Sequence, residues 1–534
     1  MSVGEATFEG MDSADARVPV TFPPSLLPQL PAPRYATRNE RPLRAPVRAG
    51  RSAETKLSSV AGSGQTVDGD VSTVDGDGDS SFRFVDLFAG IGGFHAVLAG
   101  FGGTCVFASE IDDRAAAVYE RNWATDVAGD IIPLTTARMD VPEHEVLAAG
   151  FPCQPFSKSG FQRGMEETRG TLFWNIARVL AERRPGVILL ENVRNLAGPR
   201  HRETWATIIA TLRQLGYKVS AVPVVFSPHL LPPELGGTPQ VRDRVFIPAT
   251  YVGRERAERE TQVPPAVPYA PVLRPEGERW DPQLWDLETD LPLEDDAQIE
   301  DLPRYRLTAE EERWIDLWDD FVQVLRPRMP GRKLPGFPIW ADAFVPVPQI
   351  GADTPRWKAN FLRKNSDLYN AHADVIDAWL DRHDHLAGVP ASRRKLEWQA
   401  QQTGSLWDTL MHFRPSGIRA KRPTYVPALV AITQTSIIGS RRRRLTPRET
   451  ARLQGLDDSF DFGSQPDAAS YKQMGNGVNV GAASYVLREH VRQHLEDVTA
   501  VAPGLARAVV TGAGAGASTV AADGVQRPDA VLVG

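Results

Sequence analysis

From residue 82 the chain alternates two kinds of segment. Short apolar, β-branched runs are followed by longer stretches whose apolar positions recur every three to four residues. The first kind predicts buried strands and the second amphipathic helices. "FRFVDLF", "TCVFASE", "EVLAAGF", "GVILLEN" and "KVSAVPVVF" read as strands. "GGFHAVLAG", "DDRAAAVYERNW", "TLFWNIARVLAERR" and "RETWATIIATLRQLG" read as helices. Regular strand–helix alternation predicts an α/β fold with a parallel sheet over residues 82–250.

The flanks lack this rhythm. Residues 1–81 and 497–534 are rich in Gly, Ser, Asp and Pro or are low-complexity, and are expected to be disordered tails. "DGDGDSS" hints at a calcium loop, but counting from Asp75 puts Ser80 and Asp86 where Gly and Glu are required, so it is rejected. Residues 251–440 turn to Pro-, Trp- and charge-rich sequence, expected to form a smaller, irregular second domain. Its tryptophans in "ERWIDLW" and "VIDAWL" have the spacing of core positions. His372, His383 and His385 have no Cys or second ligand pair, so no metal is expected.

At 534 residues the chain can bury a large core. Its two cysteines, Cys105 and Cys153, cannot form a disulfide framework. The N-terminus does not read as a signal peptide, and no apolar run is long enough for a membrane span, so a soluble intracellular protein is expected. Net charge is −7, yet between Met411 and Arg448 Arg and Lys accumulate with no Asp or Glu, including the run Arg441, Arg442, Arg443 and Arg444. Phosphate attraction acts within about 8 to 10 Å, so this local excess keeps a nucleic acid in play. A solvated basic face explains the segment equally well.

"FVDLFAGIGGFH" leads from a strand through Gly90, Gly92 and Gly93 into a helix. Such a turn lets the backbone approach a ligand, and the helix offers unpaired N–H groups. Glu110 ends the next strand, where a carboxylate can bind ribose hydroxyls. The third glycine of the dinucleotide pattern is missing, which favours a smaller adenosyl ligand, with Asp130 after the third strand able to accept from an adenine amine.

Cys153 follows the strand "EVLAAGF", outside the carboxyl end of the sheet where open α/β folds bind ligands. Cys105, inside an apolar run, reads as structural. Pro152 and Pro155 restrain the backbone at Cys153, whereas Ser157, Ser159, Gly160 and Gly164 loosen the segment after it. A thiol needs activation at neutral pH, and Arg242 and Arg244 in "PQVRDRVFI" are candidate sources of positive charge. Glu191, ending "GVILLENV", is a candidate proton donor or a structural acid.

The ordered set "FVDLFAGIGGFH", "SEID", "GDI", "GFPCQPFSKSG", "RGTLFW", "ENV", "PQVRDRVF", "RRLTPRETARLQGL" and "YKQMGNGVNV" resembles the DNA (cytosine-5) methyltransferase family over residues 82–250 and 440–492. The resemblance implies a Rossmann-like S-adenosylmethionine-dependent methyltransferase sheet, with residues 251–440 as its target-recognition domain and 441–496 completing both. It implies cofactor binding by Phe88, Gly90, Gly92, Glu110, Ile111, Asp130, Pro152 and Asn476. Gly477 stands where many relatives have Ser. The implied chemistry is attack of Cys153 on C6 of a flipped cytosine, with a proton from Glu191 and with Arg244 and Arg242 at O2. Gln154, Ser157, Ser159 and the arginines 441 to 444 would touch DNA.

The expected partners are double-stranded DNA and, functionally, a separate restriction endonuclease; a cytoplasmic, nucleoid-associated bacterial monomer is expected. The alternative is a tRNA cytosine-5 methyltransferase on the same scaffold. Its further Cys-Phe-Thr signature is absent here, because the only cysteines are Cys105 and Cys153. A dinucleotide-dependent oxidoreductase would leave the cysteine, "ENV" and late motifs unused.

Overall fold

The computed structural model describes residues 81–512, apart from 137, 153–171, 268–270, 291–292 and 430–434. The first sheet is built on strands β1 (Phe82–Leu87), β2 (Gly103–Ser109), β3 (Val127–Ala128), β4 (Val146–Gly150), β5 (Val187–Val193), β6 (Tyr217–Val219), β7 (Val224–Phe226) and β9 (Arg244–Tyr251). Their order is β3-β2-β1-β4-β5-β9-β6, with β7 also pairing β9. The short β8 (Gln240–Val241) lies outside this sheet.

The strands β1 to β5 pair in parallel as expected. The rest corrects the expectation of a parallel sheet: β9 runs antiparallel to β5, β6 and β7. The single strand expected for "KVSAVPVVF" is divided into β6 and β7, which pair with opposite ends of β9. Pro223 lies in the break; it lacks the N–H that an uninterrupted ladder needs.

Central strands covered on both faces read as unbroken apolar runs. Val85, Leu87, Leu147, Ala149, Ile188 and Leu190 point to one side, against α4 (Leu172–Arg183) and α5 (Arg202–Gln214). Phe84, Val146, Ala148, Val187 and Leu189 point to the other, against α1 (Gly93–Gly100). Between these strands lie α2 (Asp113–Trp123), whose N-cap Asp112 accepts from the Arg114 and Ala115 N–H groups, and α3 (Ile131–Thr136).

The second layer on the α1 side comes from the far end of the chain. Helices α11 (Val480–Gln493), α12 (Leu495–Val501) and α13 (Pro503–Thr511) supply Val486, Leu487, Val498, Leu505 and Val509 to the same core. This corrects the tail expected from residue 497: its first fifteen residues fold because they carry apolar positions at helical spacing that the sheet buries. Residues 513–534 lie outside the described set. No helix among the described residues is long and apolar enough to cross a membrane.

The second region has its own core. Helices α6 (Ala309–Leu325), α7 (Arg356–Ala371) and α8 (Ala373–Arg382) accompany a six-stranded sheet. Its strands are β10 (Ile339–Trp340), β11 (Lys395–Gln399), β12 (Leu410–Arg414), β13 (Gly417–Lys421), β15 (Ile437–Ile438) and β16 (Arg443–Arg444), in the order β10-β11-β13-β12-β15-β16. The strand β14 (Val426–Pro427) pairs instead with β8. Because β16 belongs to this sheet, the region reaches past residue 440. Trp318 and Trp379 are fully buried with ring centroids 5.5 Å apart, in the core as their spacing predicted. Two helices complete the chain between the sheets, α9 (Pro447–Leu453) and α10 (Asp467–Asn476).

Candidate active site

The turn after β1 is held open by left-handed backbone. Phe88, Gly90 and Gly92 have φ of 56°, 57° and 93°. Gly90 would meet nothing within 4 Å if it carried a Cβ, whereas a Cβ on Gly92 would lie 1.9 Å from Trp123 Nε1. Glu110 shapes the turn from the end of β2: one carboxylate oxygen accepts from Gly90 N and the other from Asp112 N, each at 2.8 Å. A carboxylate has further lone pairs, so these bonds leave it able to accept from a ligand. Beside it Ile111 is 72% exposed, an isolated apolar side chain at the mouth of the turn. Asp130 Oδ1 accepts from Ile132 N at 2.9 Å.

Behind the turn sits a buried cluster that no motif in the sequence announced. Trp123 donates its indole N–H to Ile91 O at 3.0 Å and stacks on His95 at 4.5 Å. His95 Nδ1 meets the Tyr119 hydroxyl at 2.7 Å, and that hydroxyl lies 3.6 Å from Cys105 Sγ. Burial lowers His95 to about 4 and raises Cys105 to about 11, so the cluster is neutral, with Cys105 structural as expected. Burial, with Glu110 nearby, also pushes Asp86 on β1 well above the usual carboxylate range. A charged residue inside the apolar run "FRFVDLF" was the available signal for Asp86; nothing in the pattern marks Trp123.

The late segment reaches the same turn. A Cβ on Gly93 would lie 2.8 Å from Val478 O, which brings the Asn476–Val478 stretch against the start of α1. Asn476 itself is exposed.

Glu191 and Arg244 come together through sheet register. In the β5–β9 ladder Glu191 is opposite Phe246, and Arg244 stands two residues along β9, on the same face. Their side chains form an ion pair of 2.9 Å, Nε to Oε1, and both are largely buried. Burial raises the Glu191 carboxyl above its ordinary value, and the cations Arg244 and Arg242 oppose that rise. On the other side Gly150 is its register partner, and a Cβ there would lie 3.8 Å from Glu191 Oε2. Pro152, half-buried, follows Phe151, whose carbonyl accepts from Asn192 Nδ2 at 2.9 Å. Cys153, Gln154, Ser157 and Ser159 lie outside the described residues.

Arg242 corrects its expected place at the substrate. It is 1% exposed, and its guanidinium donates to the carbonyls of Leu429, Gly475 and Gly477. Burial pulls it down to about 9, with Arg244 contributing. Its Nη2 group ties the turn around Asn476 to the β9 side of the sheet, while its Nε is buried without a partner among the described residues.

The arginine run is corrected too. Arg443 is fully buried, paired with Glu449 at 2.8 Å and with Asp296 at 2.8 Å. Arg441, Arg442 and Arg444 each face a carboxylate as well: Glu288, Glu312 and Glu311. Glu449 also closes the capping box of α9 with Thr446. "RRRRLTPRE" is thus a neutralised structural joint, not a free basic face, because glutamates distant in sequence fold onto it.

Residues 82–492 match the family model of the C-5 cytosine-specific DNA methylase. The chain belongs to that family. The C-5 methylase is 50% identical over 486 residues to the Type II methyltransferase M.AluI of Cellulosimicrobium cellulans, an alignment covering 78% of this chain and 93% of the relative. It is 30% identical over 447 residues to the Type II methyltransferase M.BanI of Aneurinibacillus aneurinilyticus, covering 78% and 97%. The methylase is therefore a DNA (cytosine-5-)-methyltransferase with a Rossmann-like α/β sheet, as its motifs led us to expect.

Proposed function

We propose that this methylase transfers the methyl group of S-adenosylmethionine to C5 of a cytosine flipped out of duplex DNA, through a covalent bond between Cys153 Sγ and C6. The observation that carries the reading is the buried Glu191–Arg244 pair beside Gly150, three residues before Cys153 in the chain.

The residues around the glycine turn fit the cofactor. Gly90 opens onto free space, Glu110 retains acceptor capacity, and Ile111 offers an exposed apolar surface for a ring. Phe88, Gly90, Gly92, Glu110, Ile111, Asp130, Pro152 and Asn476 would hold it. When bound, S-adenosylmethionine supplies an electrophilic methyl group.

The chain's own groups raise the nucleophilicity of C5. The Cys153 thiolate adds to C6, while Glu191 delivers a proton at N3 and Arg244 donates to O2, so that C5 becomes enamine-like. A raised carboxyl pKa keeps a proton on Glu191 for this step. After C5 is methylated, its proton passes to solvent water, Cys153 leaves C6 as the thiolate, and N3 returns its proton to Glu191, which restores the ring. A stacked base cannot present C6 to a thiolate, so the cytosine must leave the duplex; Gln154, Ser157 and Ser159 contact the DNA around it. The methylase acts as a monomer in the bacterial cytoplasm and protects sites that a separate endonuclease cuts.

The test is transfer of labelled methyl to duplex DNA and to tRNA, with Cys153→Ala alongside. Transfer to duplex DNA by wild type, none by Cys153→Ala, and a trapped complex on 5-fluorocytosine duplex are expected. Transfer to tRNA alone, or normal turnover by Cys153→Ala, overturns the reading.

A further inference from the structure

Helix α7 carries Arg356, Lys358, Arg363 and Lys364, all exposed, and none has a carboxylate in ion-pair reach among the described residues. This is the reverse of the arginine run, where every guanidinium is matched. The one acid on the helix, Asp367, lies a turn beyond Arg363. Trp357 is 61% exposed, the fourth-residue neighbour of Phe361, and their rings are 6.2 Å apart. The Phe361 ring in turn meets Trp340 of β10 at 5.6 Å, and Lys395 Nζ sits 5.6 Å above Trp340. Lys364 Nζ sits 5.6 Å over Phe337.

Unmatched cations interleaved with accessible aromatic rings form a surface suited to a polyanion with apolar edges. An acidic protein would satisfy the charge, but the substrate of this enzyme is the polyanion at hand. β16 leads into α9, and Gln454 after α9 donates to Met474 O beside the Asn476 turn. β10 is the opposite edge of this sheet, five strand spacings from β16, at ~4.8 Å each roughly 24 Å.

We propose that α7 and the Trp340 edge form a second DNA contact, which grips the backbone of duplex flanking the target rather than the target itself. The proposal rests on duplex DNA being the substrate. Lys358, Lys364 and Arg356 meet phosphates, and Trp357 packs on the sugar edge.

The experiment compares binding to 12-base-pair and 36-base-pair duplexes, each with one central target, at several salt concentrations with non-specific competitor. Wild type is expected to bind the longer duplex about tenfold more tightly. Trp357→Ala/Lys358→Glu/Lys364→Glu should lose that advantage and still methylate the 12-base-pair duplex at the wild-type rate. In Lys358→Gln/Lys364→Gln the salt slope on the longer duplex should fall by about 2, close to one for each phosphate no longer neutralised. A length advantage retained by the triple variant, its absence in wild type, an equal advantage on single strands, or an unchanged salt slope overturns the proposal. Failure of wild type to methylate the 12-base-pair duplex counts instead against the substrate reading.

Discussion

Arg244 holds Glu191 at 2.9 Å across the β5–β9 ladder, in a site that burial makes costly for either charge. Because the folded carboxyl titrates above its ordinary value, the protonated form is fully present below that value and lost as pH rises through the raised one. We expect kcat/KM for methyl transfer to fall on that limb. Arg244→Ala removes the cation that holds the carboxyl down, so the limb should move to higher pH. Glu191→Gln should abolish the limb and lower the rate by about 10² to 10⁴. A pH–rate profile of the three proteins checks this, and a limb that stays put in Arg244→Ala would contradict the assignment.

Arg443 makes a structural prediction. Removing one partner of a buried ion pair costs about 3 to 5 kcal/mol, and Arg443 is shared by Glu449 and Asp296. Arg443→Ala should therefore shift the urea midpoint strongly. Arg441→Ala, which breaks only a half-exposed pair with Glu288, should cost less than about 1 kcal/mol and move the midpoint little. Equal effects would argue against a buried joint at Arg443.

Trp123 links helix α2 to the glycine turn through one hydrogen bond, to Ile91 O. Trp123→Phe keeps an aromatic ring and deletes the donor, a loss of about 0.5 to 1.5 kcal/mol. The expected result is S-adenosylmethionine binding weakened up to about tenfold by calorimetry. Gly92→Ala should be far worse, since its Cβ would fall 1.9 Å from the indole nitrogen.

The last helices test the boundary of the fold. Asp497 on α12 pairs with Lys218 at 3.0 Å, and a Cβ on Gly186 would sit 2.5 Å from Val501 O. A chain ending at residue 494 removes Val498, Leu505 and Val509 from the core, each worth about 1.5 to 3 kcal/mol when fully buried. It should melt well below the full chain, whereas one ending at 512 should not; thermal unfolding decides.

The strands were legible because both faces of the sheet are covered, so Val146 to Ala149 and Val187 to Leu190 stand out as apolar runs. β9 was not among the strands expected, and nothing in "RVFIPATY" distinguishes antiparallel from parallel. Glu191 and Arg244 could be named as candidates but not as a pair, because the register that aligns them is set by the whole sheet. The arginine run misled for a related reason: Glu288, Glu311 and Glu312 lie far away in sequence, and only the fold brings them back.

The α1 face of the sheet is finished by residues that are made long after its first strand. Val480 lies 398 positions after Phe82, and at roughly 5 to 20 residues per second a ribosome needs about 20 to 80 seconds to travel between them. Throughout that interval Phe94, Val97 and Leu98 have emerged without the helix that covers them. The nascent chain thus passes through a period in which this apolar surface lacks its native cover, and a message truncated before Val480 should yield no methylating fragment.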